Sequence, residues 1–158
     1  MKTHFLFPHG FKKFGWLLFV PAFLLGTYLY VSGFDFDEHL KVFVFPIYED
    51  DWLSDKGFFK PIQNGIADEI LTFLIIAGAL LVGFSKTKRE DEYISKIRYE
   101  SLVWATYFNF AVILFSTLFF YGFAYFHMMV GNIFTILIFF IVRFHYKLYK
   151  ANISTDEE

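Results

Sequence analysis

Four stretches of about twenty residues, nearly free of charge, decide what this chain of 158 residues can become. They cover 14–34, 66–85, 102–126 and 130–149. An α-helix rises ~1.5 Å per residue, so about 20 apolar residues carry it across a hydrocarbon layer roughly 30 Å thick. A buried strand is too short to use such runs, and strands of a membrane barrel alternate apolar with polar residues over about ten positions. The chain is therefore read as an all-α membrane protein with four transmembrane helices in an antiparallel bundle. Composition points the same way. Hydrophobic residues make up 56% of the chain and charged ones 19%, with a mean hydropathy of +0.46, against ~45–50% apolar and ~25% charged in soluble domains. The high phenylalanine content invites a quinone or headgroup site, but lipid-facing positions, which accept any apolar side chain, together with a codon bias explain it more simply.

The first run follows Lys12 and Lys13 as the core of a secretory signal would. It is longer than the usual core of about 7–15 residues and no A-x-A-like cleavage site follows, so it is read as a retained span. Pro21 lies inside it and predicts a kink.

Lys and Arg beside the spans set the expected orientation. The N-terminal segment holds Lys2, Lys12 and Lys13, the loop after the second run holds Lys86, Lys88, Arg89, Lys96 and Arg98, and the C-terminal end holds Arg143, Lys147 and Lys150. With four spans, these eleven of the fourteen basic residues fall on one side. Lys41, Lys56 and Lys60 fall on the other, among Asp35, Asp37, Glu38, Glu49, Asp50, Asp51 and Asp55. The positive-inside rule then places both termini in the cytoplasm, of a bacterial inner membrane on this reading. A formal net charge of −2 gives no basic face for direct nucleic-acid binding, and the absence of cysteine excludes disulfides and thiolate chemistry.

Between the runs, the outer loop 35–65 is expected to form a small extracytoplasmic cap with a short strand or hairpin. HLKVFVFPIYED has strand composition, with Leu40, Val42, Val44 and Pro46 on one face and Pro46 ending the strand, while GFFKPI at 57–62 is available to pair with it or to lie on the headgroups. The 86–101 segment reads as a cytoplasmic helical extension of the third span, with Glu92–Lys96 and Lys96–Glu100 spaced for helical pairing, Asp91 two turns before Arg98, and Ile94, Ile97 and Leu102 near one stripe. Its continuous helix is expected to reach Phe126, with a short turn at 127–130 before the fourth span and a C-terminal tail at 150–158. Gly78, Ala79 and Gly83 offer close helix approach in the second span.

Candidate chemistry is sparse. Asp35, Asp37 and His39 alternate, as three ligands on one side of an extended segment would, but neither convergent ligands nor a second shell is visible, and the favoured reading is an acidic loop kept soluble and outside with no metal. Asp68 and Glu69 open the second span, where carboxylates complement the helix dipole, and with His127 they form a possible polar mouth on the outer side. Tyr107 and Asn109 lie within the third span, where hydrogen bonds between helices are expected. No ionisable residue lies at the predicted midplane, which argues against a proton relay or ion pump. No nucleotide, haem or hydrolase motif is present, and no cofactor is indicated.

Residues 64–105 (NGIADEILTFLIIAGALLVGFSKTKREDEYISKIRYESLVWA) open the second helix with Asn-x-x-x-Asp-Glu at Asn64, Asp68 and Glu69. F-S-K-x-K-x-E-D-E-x-I-x-x-[IL]-R-x-E-S-L follows, matched at Phe84, Ser85, Lys86, Glu90, Asp91, Glu92, Ile94, Arg98, Glu100 and Ser101. In this quarter of the chain it resembles a group of small bacterial four-helix membrane proteins with no assigned activity. The resemblance implies a family placement and no mechanism; such proteins sometimes stand beside DNA-binding regulators, which implies a regulatory setting. The expected function is that of a non-enzymatic inner-membrane protein working through protein contacts, a sensory or regulatory component. Glu90, Asp91, Glu92, Lys96, Arg98 and Glu100 are its docking candidates, and a membrane or cytoplasmic protein, or a second copy, its partner. The alternatives are an oligomeric channel or transporter component, and a subunit of a lipid- or quinone-related enzyme.

Overall fold

In the computed structural model, which describes residues 5–35, 39–49, 57–59, 61–88 and 90–156, the chain is mostly helical. Its four helices are α1 (Gly10–Val31), α2 (Ala67–Phe84), α3 (Glu92–Phe119) and α4 (Phe123–Asp156). All four are long and apolar enough to cross a membrane. Their large apolar side chains, such as Leu17, Leu114, Leu118 and Val142, are mostly exposed. In water so much contiguous apolar surface would drive aggregation, whereas lipid accepts it at no cost.

The chain divides into two compact units, Met1–Phe19 with Ile76–Glu158, and Val20–Ile75. In the first, α1 and α2 run antiparallel at close range. A Cβ on Gly78 would lie 2.7 Å from the Phe19 backbone nitrogen, and one on Gly15 2.8 Å from Val82 N. Five residues on, a Cβ on Gly83 would strike the Phe140 ring of α4 at 2.6 Å. The small residues of α2 thus allow the close helix approach expected of Gly78, Ala79 and Gly83, with α1 at Gly78 and α4 at Gly83 as the neighbours. α3 and α4 also run antiparallel, with Phe108 stacked on Phe139 at 4.5 Å and Thr117 Oγ1 3.4 Å from Tyr125 Oη. The core gathers around Ala79, Val82, Ile97, Ala105, Phe140, Ile141 and Phe144.

The turn between α3 and α4 departs from the sequence reading. α3 ends at Phe119, and Phe120 caps it with its N–H on Ser116 O. Gly122 then takes φ +63, the left-handed backbone that glycine adopts without a Cβ penalty. The apolar run does not pause there, so hydropathy hides the break. Residues 127–130, where the turn is expected from the sequence, lie instead within α4, as do Gly131 and Asn132 that follow them.

In the second unit the described residues between α1 and α2 form two antiparallel two-stranded sheets. β1 (Lys41–Val44) pairs with β4 (Ile62–Gly65), and β2 (Tyr48–Glu49) with β3 (Gly57–Phe58). Pro46 lies in the gap between β1 and β2, its carbonyl accepting from Phe59 N at 3.2 Å. A proline has no N–H for a ladder, which is why pairing stops there and resumes beyond. α1 is continuous through Pro21.

Candidate functional site

The first four turns of α3 are amphipathic. Ile97, Arg98, Ser101 and Ala105 are buried, while Glu92, Tyr93, Lys96, Tyr99 and Glu100 are exposed. The spacing of i, i+1, i+4, i+7 and i+8 puts the exposed set on one helix face. Asp91 caps the helix, its Oδ1 accepting from Ile94 N at 2.8 Å. Aspartate suits this place because it both satisfies a free N–H and meets the positive end of the helix dipole.

Arg98 is the anomaly on the buried face, at 5% exposure. Its guanidinium grips Glu90 through Nη1 and Oε1, with a second contact from Nη2 to Oε2 at 3.2 Å. Nη2 also lies 3.4 Å from Ser85 O at the end of α2. Glu90 Oε2 accepts in addition from Thr87 N at 2.8 Å and Thr87 Oγ1 at 2.9 Å. A forked guanidinium matches a carboxylate in two parallel bonds, and both ions keep further partners when removed from water. The pairing of Asp91 with Arg98 that the spacing allows does not occur; Glu90 takes the arginine and Asp91 takes the helix end.

Burial by itself would push the Glu90 carboxyl up. The hydrogen bonds from Arg98 and Thr87, with the nearby guanidinium charge, outweigh that and hold it below its ordinary value.

The clasp rests on α4 and the N-terminal segment. The Arg98 guanidinium lies 4.9 Å from the ring centre of Phe144, which is fully buried, and the Lys12 ammonium 5.9 Å from the same ring. Ahead of α1, Phe7 forms a parallel bridge with Ser85. Its N–H donates to Phe84 O at 2.9 Å, and its carbonyl accepts from Lys86 N at 2.9 Å. His9 Nδ1 donates to Lys86 O at 2.9 Å. His145 Nδ1 donates to Ile141 O, and its ring meets Trp16 edge-on at 5.4 Å. The loop after α2 is thereby tied to the start of α1, to α3 and to α4. Lys12, Phe144, His145 and the Phe7 bridge belong to this cluster and were not among the sequence candidates. Arg98 and Glu90, expected among the docking candidates, instead face inward, Arg98 because it lies beside Ile97 on the buried side of α3.

The remaining candidates are dispersed. Asp68 and Glu69 are exposed in the first turn of α2, with Asn64 Nδ2 donating to Glu69 Oε1 at 3.3 Å. His127 is exposed on α4. Tyr107 is exposed, its ring edge-on to Trp104 at 6.4 Å. Asn109 does not make the expected bond through its carbonyl: Oδ1 is buried with no hydrogen-bond partner among the described residues, as are Ser116 Oγ and Asn132 Oδ1. His39 Nδ1 donates to Asp35 O at 2.9 Å, and its ring lies 4.2 Å from Phe34; Asp37 lies outside the described residues. Among the described residues no three His, Asp or Glu side chains gather as metal ligands. Comparison with family models, with curated proteins and with solved structures finds no match to this chain.

Proposed function

We propose that this is an integral protein of a bacterial inner membrane, with both termini in the cytoplasm, that acts by contact with another protein through the exposed face at the start of α3. The single observation that supports this is the division of labour between adjacent charged residues. Glu90 and Arg98 turn inward and hold the helix start against the rest of its unit. Tyr93, Lys96, Tyr99 and Glu100, with Glu92, are exposed on the opposite side of the same helix start. A fixed face of mixed charge with two tyrosines suits protein recognition, in which aromatic side chains supply contact area at little entropic cost and charges set register. The positive blocks around it support the cytoplasmic orientation.

The test is affinity purification in mild detergent of the native chain and of a variant carrying Lys96→Ala, Tyr99→Ala and Glu100→Ala. On this reading the variant folds with unchanged thermal stability and loses a co-purifying protein. Retention of every co-purifying protein by the variant refutes it.

One observation favours a second reading, an oligomeric channel component: Asn109 Oδ1, Ser116 Oγ and Asn132 Oδ1 are buried within the α3–α4 spans with no hydrogen-bond partner among the described residues. Buried polar atoms in a membrane call for water or a partner. Reconstituted vesicles should then pass solute faster than empty ones, and Asn109→Leu should abolish the difference.

A further inference from the structure

The strands between α1 and α2 carry a pattern that a cap standing in water does not need. Side chains alternate along β1 and its continuation, so Val44 and Pro46 point one way while Phe43, Phe45 and Ile47 point the other. Val44, Pro46, Ile62 and Asn64 line a groove of about 540 Å³ whose other wall is the side of α2 formed by Glu69, Ile70, Phe73 and Leu74. The hydrogen bond from Asn64 to Glu69 closes one end of it. Leu74 lies about 7–8 Å beyond Glu69 along the helix, and Pro46 lies five residues from Lys41, about 16 Å along an extended strand. A ladder projecting straight out from the end of α2 would put those residues far apart. A shared groove requires the ladder to lie beside the first two turns of the helix.

α2 is one of the helices apolar enough to cross a membrane. Whatever lies beside its first turns lies at the depth of the lipid headgroups and upper acyl chains. The strand face turned away from the groove carries Phe43, Phe45 and Ile47 at 74%, 71% and 72% exposure, with Lys41 exposed at its base. Large apolar groups next to an ammonium match the two chemistries of that layer, acyl chain and phosphate. A two-stranded ladder keeps unpaired N–H and C=O groups along its edges, which excludes the dry hydrocarbon centre and fits the wetter headgroup level.

We propose that the β1–β4 ladder with residues 45–47 is a lipid-embedded interfacial element, its Phe43, Phe45 and Ile47 inserted among the acyl chains beside α2 and Lys41 at the phosphates. The inference rests on α2 being a membrane span, and its test separates the two ideas. The chain has no cysteine, so single-cysteine variants Phe45→Cys, Leu80→Cys in the middle of α2 and Lys88→Cys between α2 and α3 can carry an environment-sensitive fluorophore in phosphatidylglycerol–phosphatidylethanolamine vesicles. The Phe45→Cys probe should emit blue-shifted relative to Lys88→Cys, resist aqueous iodide, and be quenched most by lipids brominated near the headgroup. Leu80→Cys should be quenched most by lipids brominated deep in the chain. Iodide quenching of the Phe45→Cys probe equal to that at Lys88→Cys overturns the proposal while leaving the span intact. So does protection from iodide without lipid quenching, because a protein would then be the occupant. Lack of lipid quenching at Leu80→Cys refutes the span itself. Should Phe45→Cys fail to fold, Ile47→Cys reads the same face.

Discussion

Arg98 carries a full charge onto the buried face of α3, and its cost is offset only while Glu90 stays ionised beside it. Removing the carboxylate leaves the buried guanidinium unmatched, so Glu90→Gln should destabilise the detergent-solubilised protein by about 3–5 kcal/mol, and Arg98→Met, which leaves a half-buried Glu90 still held by Thr87, by less. The double variant Glu90→Leu with Arg98→Met, which leaves no orphan charge, should cost less than either single change. A double-mutant cycle of apparent Tm values checks this, and additive losses would contradict the clasp. Acid has a calculable sign here. The folded carboxyl of Glu90 is held below its ordinary value, so its contribution is present at neutral pH and is lost as pH falls through the folded pKa. Apparent Tm should hold down to about pH 5 and fall below about pH 4. The fall should be smaller in Glu90→Gln. At Gly78 the limit is steric: Gly78→Ala places a methyl against the Phe19 backbone. Backbone cannot step aside as a flexible side chain can, and overpacking of this kind costs about 1–3 kcal/mol.

At the scale of elements, the α3–α4 hairpin depends on one residue with no packing role. A Cβ on Gly122 would meet nothing within 4 Å, yet its φ of +63 is unfavourable for alanine. Gly122→Ala should therefore lower stability by about 1 kcal/mol from backbone strain alone. Gly122→Asn, which tolerates the left-handed region better, should recover part of it. Gly131, which has the same open surroundings within regular α4, is the control: Gly131→Ala should be neutral or slightly stabilising, because alanine favours a helix. Thermal scans of the three variants distinguish strain at a turn from a general response to lost glycine. The same comparison explains why the sequence misplaced the turn. Hydropathy reports burial and not backbone handedness, and both glycines sit in equally apolar surroundings.

For the whole molecule, orientation is the property most open to direct measurement, and absent cysteines make it simple. Single-cysteine variants at Lys13, Lys88 and Lys147 should react with an impermeant maleimide only after the inner membrane is opened, and Lys41→Cys should react in intact spheroplasts. Labelling of Lys88→Cys from outside would invert the topology and remove the α3 face from the cytoplasm. Charge counting along the chain was enough to frame this expectation, because the positive-inside bias acts on loops one at a time. Four long apolar helices, the strand ended by Pro46 and the glycine-mediated approaches of α2 were equally readable, since each depends on residues adjacent in sequence. The division of the 86–101 segment into an inward clasp and an outward face was not. It depends on Phe144, Lys12 and Ser85, which lie on other elements and come to Arg98 only when the helices pack. The same holds for the ladder beside α2: alternation along β1 indicates two faces, but only the register of β1 with β4 and the shared groove decide which of them meets the helix and which is turned outward.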